Sequence, residues 1–291
     1  MPASKGLLKL FSIVFICFAL SSCELINPDE AIPSYIHIDQ IDLETTFSTE
    51  GSNTHKITDA WIYINNNPIG TFELPATIPI IQEGTHDLTI RAGIMENGIA
   101  ATRKTYPFYD SYEVSHTFSP ENIDTISLTI NYLTNFQTAW KDDFEDAGIS
   151  LELTSSSKLL QIDRVNNDSV FDNGKYAASF TLADSISSFE CINNQELELP
   201  RGNMPVYLEM DYKNDHIFYV GIRAYYNGVE TQKLKLALNE TDSWNKVYIN
   251  FAPEIGLSQD GSTYKIVFYG ALTDSTETAN ILVDNLKLLH N

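Results

Sequence analysis

The chain has 291 residues, with 39 Asp and Glu against 18 Lys and Arg, a formal net charge of −21. That balance excludes nucleic acid as a partner, because phosphate binding needs clustered Lys and Arg, and it opposes adhesion to an anionic membrane surface. It favours solubility and resistance to self-association.

Lys5 and Lys9 lead into an apolar run over 10–20 that only Ser12 interrupts. The run is too short for a bilayer, which needs about 20 apolar residues. A basic start, a short apolar core and small residues before a cut site describe a secretory signal. The segment Leu20-Ser21-Ser22-Cys23 resembles the lipobox of bacterial lipoproteins. That resemblance implies removal of residues 1–22, a diacylglycerol on the Cys23 thiol and acylation of the new amino group. Each buried methylene adds about 0.8 kcal/mol, so several chains anchor where one would be marginal. Ser22 stands where Gly or Ala is commoner, and the alternative is an ordinary signal peptide with an incidental Cys. Residues 23–33, with Asn27, Pro28, Asp29, Glu30 and Pro33, read as a tether. Glu24, rather than Asp, follows Cys23, which favours the outer membrane. Together with Asp29 and Glu30 it resembles surface-export signals of some Gram-negative lipoproteins, favouring the outward face over the periplasm.

Beyond residue 34 the sequence is all-β: runs of five to nine residues rich in Val, Ile, Tyr, Phe and Thr alternate with period two between Asn, Asp, Gly and Pro clusters. No stretch carries a helical period over three turns. Residues 34–134 form the first expected sandwich. "DAWIYI" and "GTFEL" make a hairpin around Asn65-Asn66-Asn67-Pro68, and "DLTIRAGI" and "DTISLTINYL" follow. The order of hairpin turn, Gly and the Gly84-Thr85-His86 step resembles PEGA-like and carboxypeptidase-regulatory-like Ig-like sandwiches. That resemblance implies a spacer or binding module, with His86 structural.

Residues 135–291 form the second. Ten strands are expected, from "ISLEL" and "KLLQID" to "NILVDNLKLL". Ten antiparallel strands in this length suggest a jelly roll. Asp142-Asp143-Phe144-Glu145, "SWNKVYINF" and "ILVDNLKL" in that order resemble galactose-binding-like, carbohydrate-binding jelly rolls. With Cys17 in the leader and Cys23 lipidated, only Cys191 remains, so no intrachain disulfide is expected. Its place in "SSFECINN" suits a buried core thiol.

The jelly-roll resemblance implies a structural Ca²⁺ where first and last strands meet. Asp143 and Glu145, two apart and thus able to share a strand face, and Asp284, which interrupts an apolar run, are the candidate ligands. Ca²⁺ takes six to eight oxygens. The alternative is a solvated strand end with unpaired carboxylates. In "FYVGIRAYY", period two separates Phe218, Val220, Ile222, Ala224 and Tyr226, read as core, from Tyr219, Gly221, Arg223 and Tyr225. Tyr219, Arg223 and Tyr225 form a polar-aromatic stripe suited to stacking on sugar C–H faces and bonding hydroxyls, with Gly221 leaving room between them. Glu209 and Asp211 resemble the Glu-x-Asp core of retaining glycosidases, which need two carboxyl groups about 5–5.5 Å apart. Lys213 and Asn214 occupy the places of the acid/base partner. Zinc spacing, a P-loop, a dinucleotide fingerprint and a nucleophile elbow are all missing, so no organic cofactor is expected. The sequence thus points to a lipid-anchored, non-catalytic envelope protein that binds glycan. Docking to an outer-membrane protein complex is the alternative, and glycoside hydrolysis ranks third.

Overall fold

The computed structural model describes residues 30–166, 174–274 and 278–291. Cys23 and the leader lie outside them, as does most of the tether. The chain is all-β. In order, the first half runs β1 (Ser34–Ile38), β2 (Ile41–Leu43), α1 (Phe47–Glu50), β3 (Asp59–Ile64), β4 (Asn67–Glu73), β5 (Ala76–Ile80), β6 (Gly84–Met95), β7 (Arg103–Thr105), β8 (Ser111–Phe118), β9 (Ile123–Thr125) and β10 (Leu128–Ile130). The second half runs β11 (Gln137–Asp142), β12 (Leu151–Leu153), β13 (Asp163–Asn166), β14 (Tyr176–Ala183), β15 (Ser188–Asn193), β16 (Val206–Asn214), β17 (Phe218–Tyr226), β18 (Val229–Leu238), β19 (Asn245–Asn250), α2 (Ala252–Leu257), β20 (Thr263–Ala271) and β21 (Thr278–His290).

The first half packs a five-stranded sheet, β4-β3-β6-β7 with β8 also on β6, against the small sheets β5-β1-β9 and β10-β2. The β3–β4 turn is tighter than the four-residue reading: only Asn65 and Asn66 form it, with φ of 49° and 62°. Two successive left-handed residues match the twist of a two-residue hairpin. Pro68 lies inside β4, an edge strand that needs no amide from it.

The second half stacks a six-stranded sheet, β13-β14-β21-β16-β19 with β11 on β21, against a five-stranded sheet, β12-β15-β20-β17-β18. Inward residues such as Leu208, Met210, Phe180, Phe189, Phe268 and Ile281 fill the space between them. Cys191 is fully buried there, and burial pushes its thiol well above the ordinary range. "KLLQID" is mostly irregular rather than a strand. Leu160 is 88% exposed, and regular pairing begins only at Asp163.

The two halves do not hang as separate beads. The outward face of β16, β19 and β21 is covered by the first half, so residues that alternation assigns to solvent are buried. Tyr106, Tyr109, Tyr207 and Tyr248 meet with ring centroids 4.6–5.4 Å from Tyr106. Tyr207, Tyr248 and Leu289 join the first half's apolar cluster.

Candidate functional site

Three places carry chemistry. The first is the Glu209–Asp211 pair. Both carboxylates are fully buried beneath the first half. Glu209 accepts from Tyr106 Oη at 2.8 Å and from Tyr132 Oη at 2.8 and 2.9 Å, and Lys246 Nζ stands 3.4 Å away. Asp211 accepts from Thr54 Oγ1 at 2.6 Å and Asn285 Nδ2 at 2.8 Å, with Lys246 at 3.6 Å. Lys287 Nζ donates to the Ser52 carbonyl at 2.6 Å. These groups tie two halves of the chain together, and no glycoside reaches a pair so sealed. The Glu-x-Asp spacing is a consequence of alternation on β16, not of a catalytic cleft.

The second is the acidic end. Asp143 and Glu145 do not share a strand face. β11 stops at Asp142, and Phe144, fully buried, takes a φ of 56° that breaks the alternation. Asp143 Oδ1 caps the Glu145 amide at 3.3 Å, and Glu145 Oε1 accepts from the Lys175 and Tyr176 amides. Both line an open pocket of about 450 Å³, of which Asp284 is not a wall. Asp284 is buried on β21 opposite Asp211. A bulge at Asn285, with φ 50°, lets Asp284 pair with Asp211 while Lys287 pairs with Glu209. Burial is the main force lifting the Asp284 carboxyl to about 8. The Asn285 amide lowers it, while Asp211, Glu145 and Asp143 raise it further. One oxygen each of Asp284 (Oδ2) and Asp211 (Oδ1) lacks a hydrogen-bond partner. Among the described residues, no three His, Cys, Asp or Glu side chains are grouped closely enough to hold a metal ion.

The third is the stripe. Tyr219, Arg223 and Tyr225 do share the outer face of the five-stranded sheet. Tyr219, 36% exposed, pairs across to Tyr269 with ring centroids 6.2 Å apart. Arg223 is held rather than free. Its Nη2 donates to Glu190 Oε1 at 2.7 Å and its Nε to Gln232 Oε1 at 2.8 Å, while Gln232 Nε2 donates to Glu190 Oε2 at 3.0 Å. Burial alone would raise the Glu190 carboxyl, but donors from Gln232, Thr154 and Arg223 outweigh it and hold the group below its ordinary value. Glu190 and Gln232 belong to this surface and escaped the sequence reading, and Tyr269, visible there only as an aromatic of "YKIVFYG", could not be set beside Tyr219, because all three reach it from neighbouring strands. Gly221 has another reason than room for a ligand. A Cβ there would stand 2.3 Å from the Lys233 carbonyl oxygen, where β18 bulges inward.

No protein-family model matches the sequence, and a search of curated proteins finds no relative. Several solved structures share part of the chain path. A family 61 carbohydrate-binding module in complex with β-1,4-galactotriose is 16% identical, over 54% of this chain and 90% of that one, with a TM-score of 0.31. The C-terminal family 22 carbohydrate-binding module of Clostridium thermocellum Xyn10B is 10% identical, over 52% and 92%, with a TM-score of 0.37. The enzymatically active domain of bacteriophage CBA120 tailspike protein 4 is 10% identical, over 57% and 26%, with a TM-score of 0.41. No residue role passes through likenesses this partial.

Proposed function

We propose that this chain is a non-catalytic glycan-binding protein, held at the outer face of an outer membrane by lipid on Cys23. The observation that carries the reading is the stripe. An aromatic pair, Tyr219 exposed and Tyr269 half-buried, lies beside Tyr225 and a guanidinium fixed by Glu190 and Gln232. Rings offer flat apolar platforms with polar edges, and a preorganised Arg loses little freedom on bonding a hydroxyl. The test is a glycan array probed with the whole chain and with Tyr219→Ala/Tyr225→Ala. Selective binding lost in the variant supports the stripe; an unaltered profile sinks it.

Docking to an outer-membrane protein is the second reading. Ile81 and Ile123, 66% and 59% exposed, flank the two sides of β1 and support it. Co-purification from native membranes in mild detergent separates the two, because a stoichiometric partner would make the chain an accessory subunit. A structural Ca²⁺ at the acidic end also remains a proposal. Its support is the buried Asp284 Oδ2, which lacks a hydrogen-bond partner, with Asp143 and Glu145 close enough to raise the Asp284 carboxyl.

A further inference from the structure

The opposite face of β17 leads to a second site. Phe218, Val220 and Ile222 are buried in the core, at 0–3% exposure, as alternation requires. The series does not stop where the core does. Ala224 is half-buried and still packs against the core, whereas Tyr226 is 40% exposed, so the core reading of Tyr226 is corrected. The cross-strand pairs Ile222–Lys233, Ala224–Thr231 and Tyr226–Val229 set all six residues on one face of the β17–β18 hairpin. Opposite them stand Glu254 and Leu257 of α2 and Gln259 just beyond it. The half-open cleft between them has a volume of about 560 Å³, within the span of about 300–1,000 Å³ usual for small-molecule sites.

The hairpin wall interleaves Ile222, Ala224, Tyr226 and Val229 with Asn227, Thr231 and Lys233, and the helix side is polar except for Leu257. Glu254 Oε1 accepts from Lys235 Nζ at 2.9 Å, but Glu254 Oε2 is buried with no hydrogen-bond partner. A buried acceptor left without a donor is costly, and a ligand hydroxyl would supply one. Lys235 offsets the Glu254 charge, so the cavity carries no uncompensated acid to select a cation. Val229 and Leu257, 64% and 76% exposed, extend the apolar wall outward.

We infer that this cavity is a second ligand site, independent of the stripe, for a short neutral saccharide. The sugar's C–H face lies on Tyr226 and Ala224, and its hydroxyls reach Glu254, Thr231 and Gln259. The ligand class rests on the glycan reading above; the site itself does not.

The test is isothermal titration of the whole chain with millimolar β-1,4-galactotriose, xylotriose, cellotriose and mannotriose. Three proteins are compared: wild type, the stripe variant Tyr219→Ala/Tyr225→Ala, and the cavity variant Thr231→Arg/Leu257→Arg. Circular dichroism checks their folding. Both cavity substitutions fall on exposed positions, so the fold is spared. The expected result is two binding components in wild type, one of which survives in the stripe variant and weakens about tenfold or more in the cavity variant, at least about 1.4 kcal/mol. Glu254→Gln, which keeps shape and loses charge, should weaken it less. Binding lost in the stripe variant and intact in the cavity variant overturns the second site and leaves the glycan reading standing. Binding lost only in the cavity variant supports the second site and removes the stripe. No binding of any probe by wild type overturns both.

Discussion

Tyr132 donates its hydroxyl to both oxygens of Glu209, at 2.8 and 2.9 Å, across 77 residues of sequence and across the junction of the two halves. Tyr106 adds a third bond to the same carboxylate. The junction therefore depends on buried polar groups meeting in pairs. Tyr132→Phe should cost about 1–3 kcal/mol, the penalty of an acceptor left short. Lys246→Met should cost about 3–5 kcal/mol, because Glu209 and Asp211 lose their shared cation. Urea denaturation reads both, and costs below about 0.5 kcal/mol would show that the halves are not coupled there. Residues 135–291 alone uncover Tyr207, Tyr248 and Leu289, which the first half's apolar cluster otherwise covers, and should be less soluble than the whole chain.

Two buried groups on β21 give opposed pH dependences. The Asp284 carboxyl is raised to about 8, so its stabilising share is complete below the ordinary value of 3.8 and is lost as pH rises through 8. Burial pulls the Lys287 ammonium down to about 8, against the attraction of Glu209, Asp211 and Glu50 and with the repulsion of Lys246. Its share is complete above 10.5 and is lost as pH falls through 8. Their summed contribution in EDTA is lowest near pH 8. Asp284→Asn should flatten the slope between pH 4 and 8, and Lys287→Met the slope between 8 and 10.5. Thermal midpoints across pH read this, and unchanged slopes would refute it.

Calcium should act on the same end. If Asp284 binds Ca²⁺ through its unpartnered oxygen together with Asp143 and Glu145, excess Ca²⁺ raises the thermal midpoint above that in EDTA, and Asp284→Asn abolishes the difference. Identical midpoints remove the cation and leave a proton in its place.

Gly221→Ala should destabilise by about 1–3 kcal/mol. The new methyl meets backbone, the Lys233 carbonyl oxygen and Leu234 Cα, not a side chain able to swing away. A neutral result would mean the β18 bulge relaxes freely.

Arg223→Lys should weaken glycan binding nearly as much as Arg223→Ala. An ammonium cannot reproduce the fork that joins Glu190 and Gln232. Full rescue by Lys would show that charge alone matters.

Alternation made much of the second half legible. "VYLEMDYKN" places Leu208 and Met210 inward and Tyr207, Glu209 and Asp211 outward, as found. What alternation cannot say is what lies beyond the outward face. Here it is another sheet, so apparent solvent charges became a buried network and a catalytic-looking pair became a structural one. Backbone specials were illegible for a related reason. Phe144 adopts a positive φ against its type and Asn285 one that Asn tolerates, and each shifts the register of the acidic residues beside it. The stripe was readable because all three residues lie on one strand; Tyr269, Glu190 and Gln232 arrive from elsewhere in the sequence.

β17 presents the stripe on its odd positions and the cavity wall on its even ones. The two surfaces can thus be tuned one substitution at a time, since neighbouring side chains point apart. Insertions and deletions are another matter: a slip of one residue would exchange the faces, sending Arg223 inward and Ile222 to solvent. Gly221, locked against the β18 bulge, is the pin that forbids the slip. The strand is free to vary in chemistry and constrained in length.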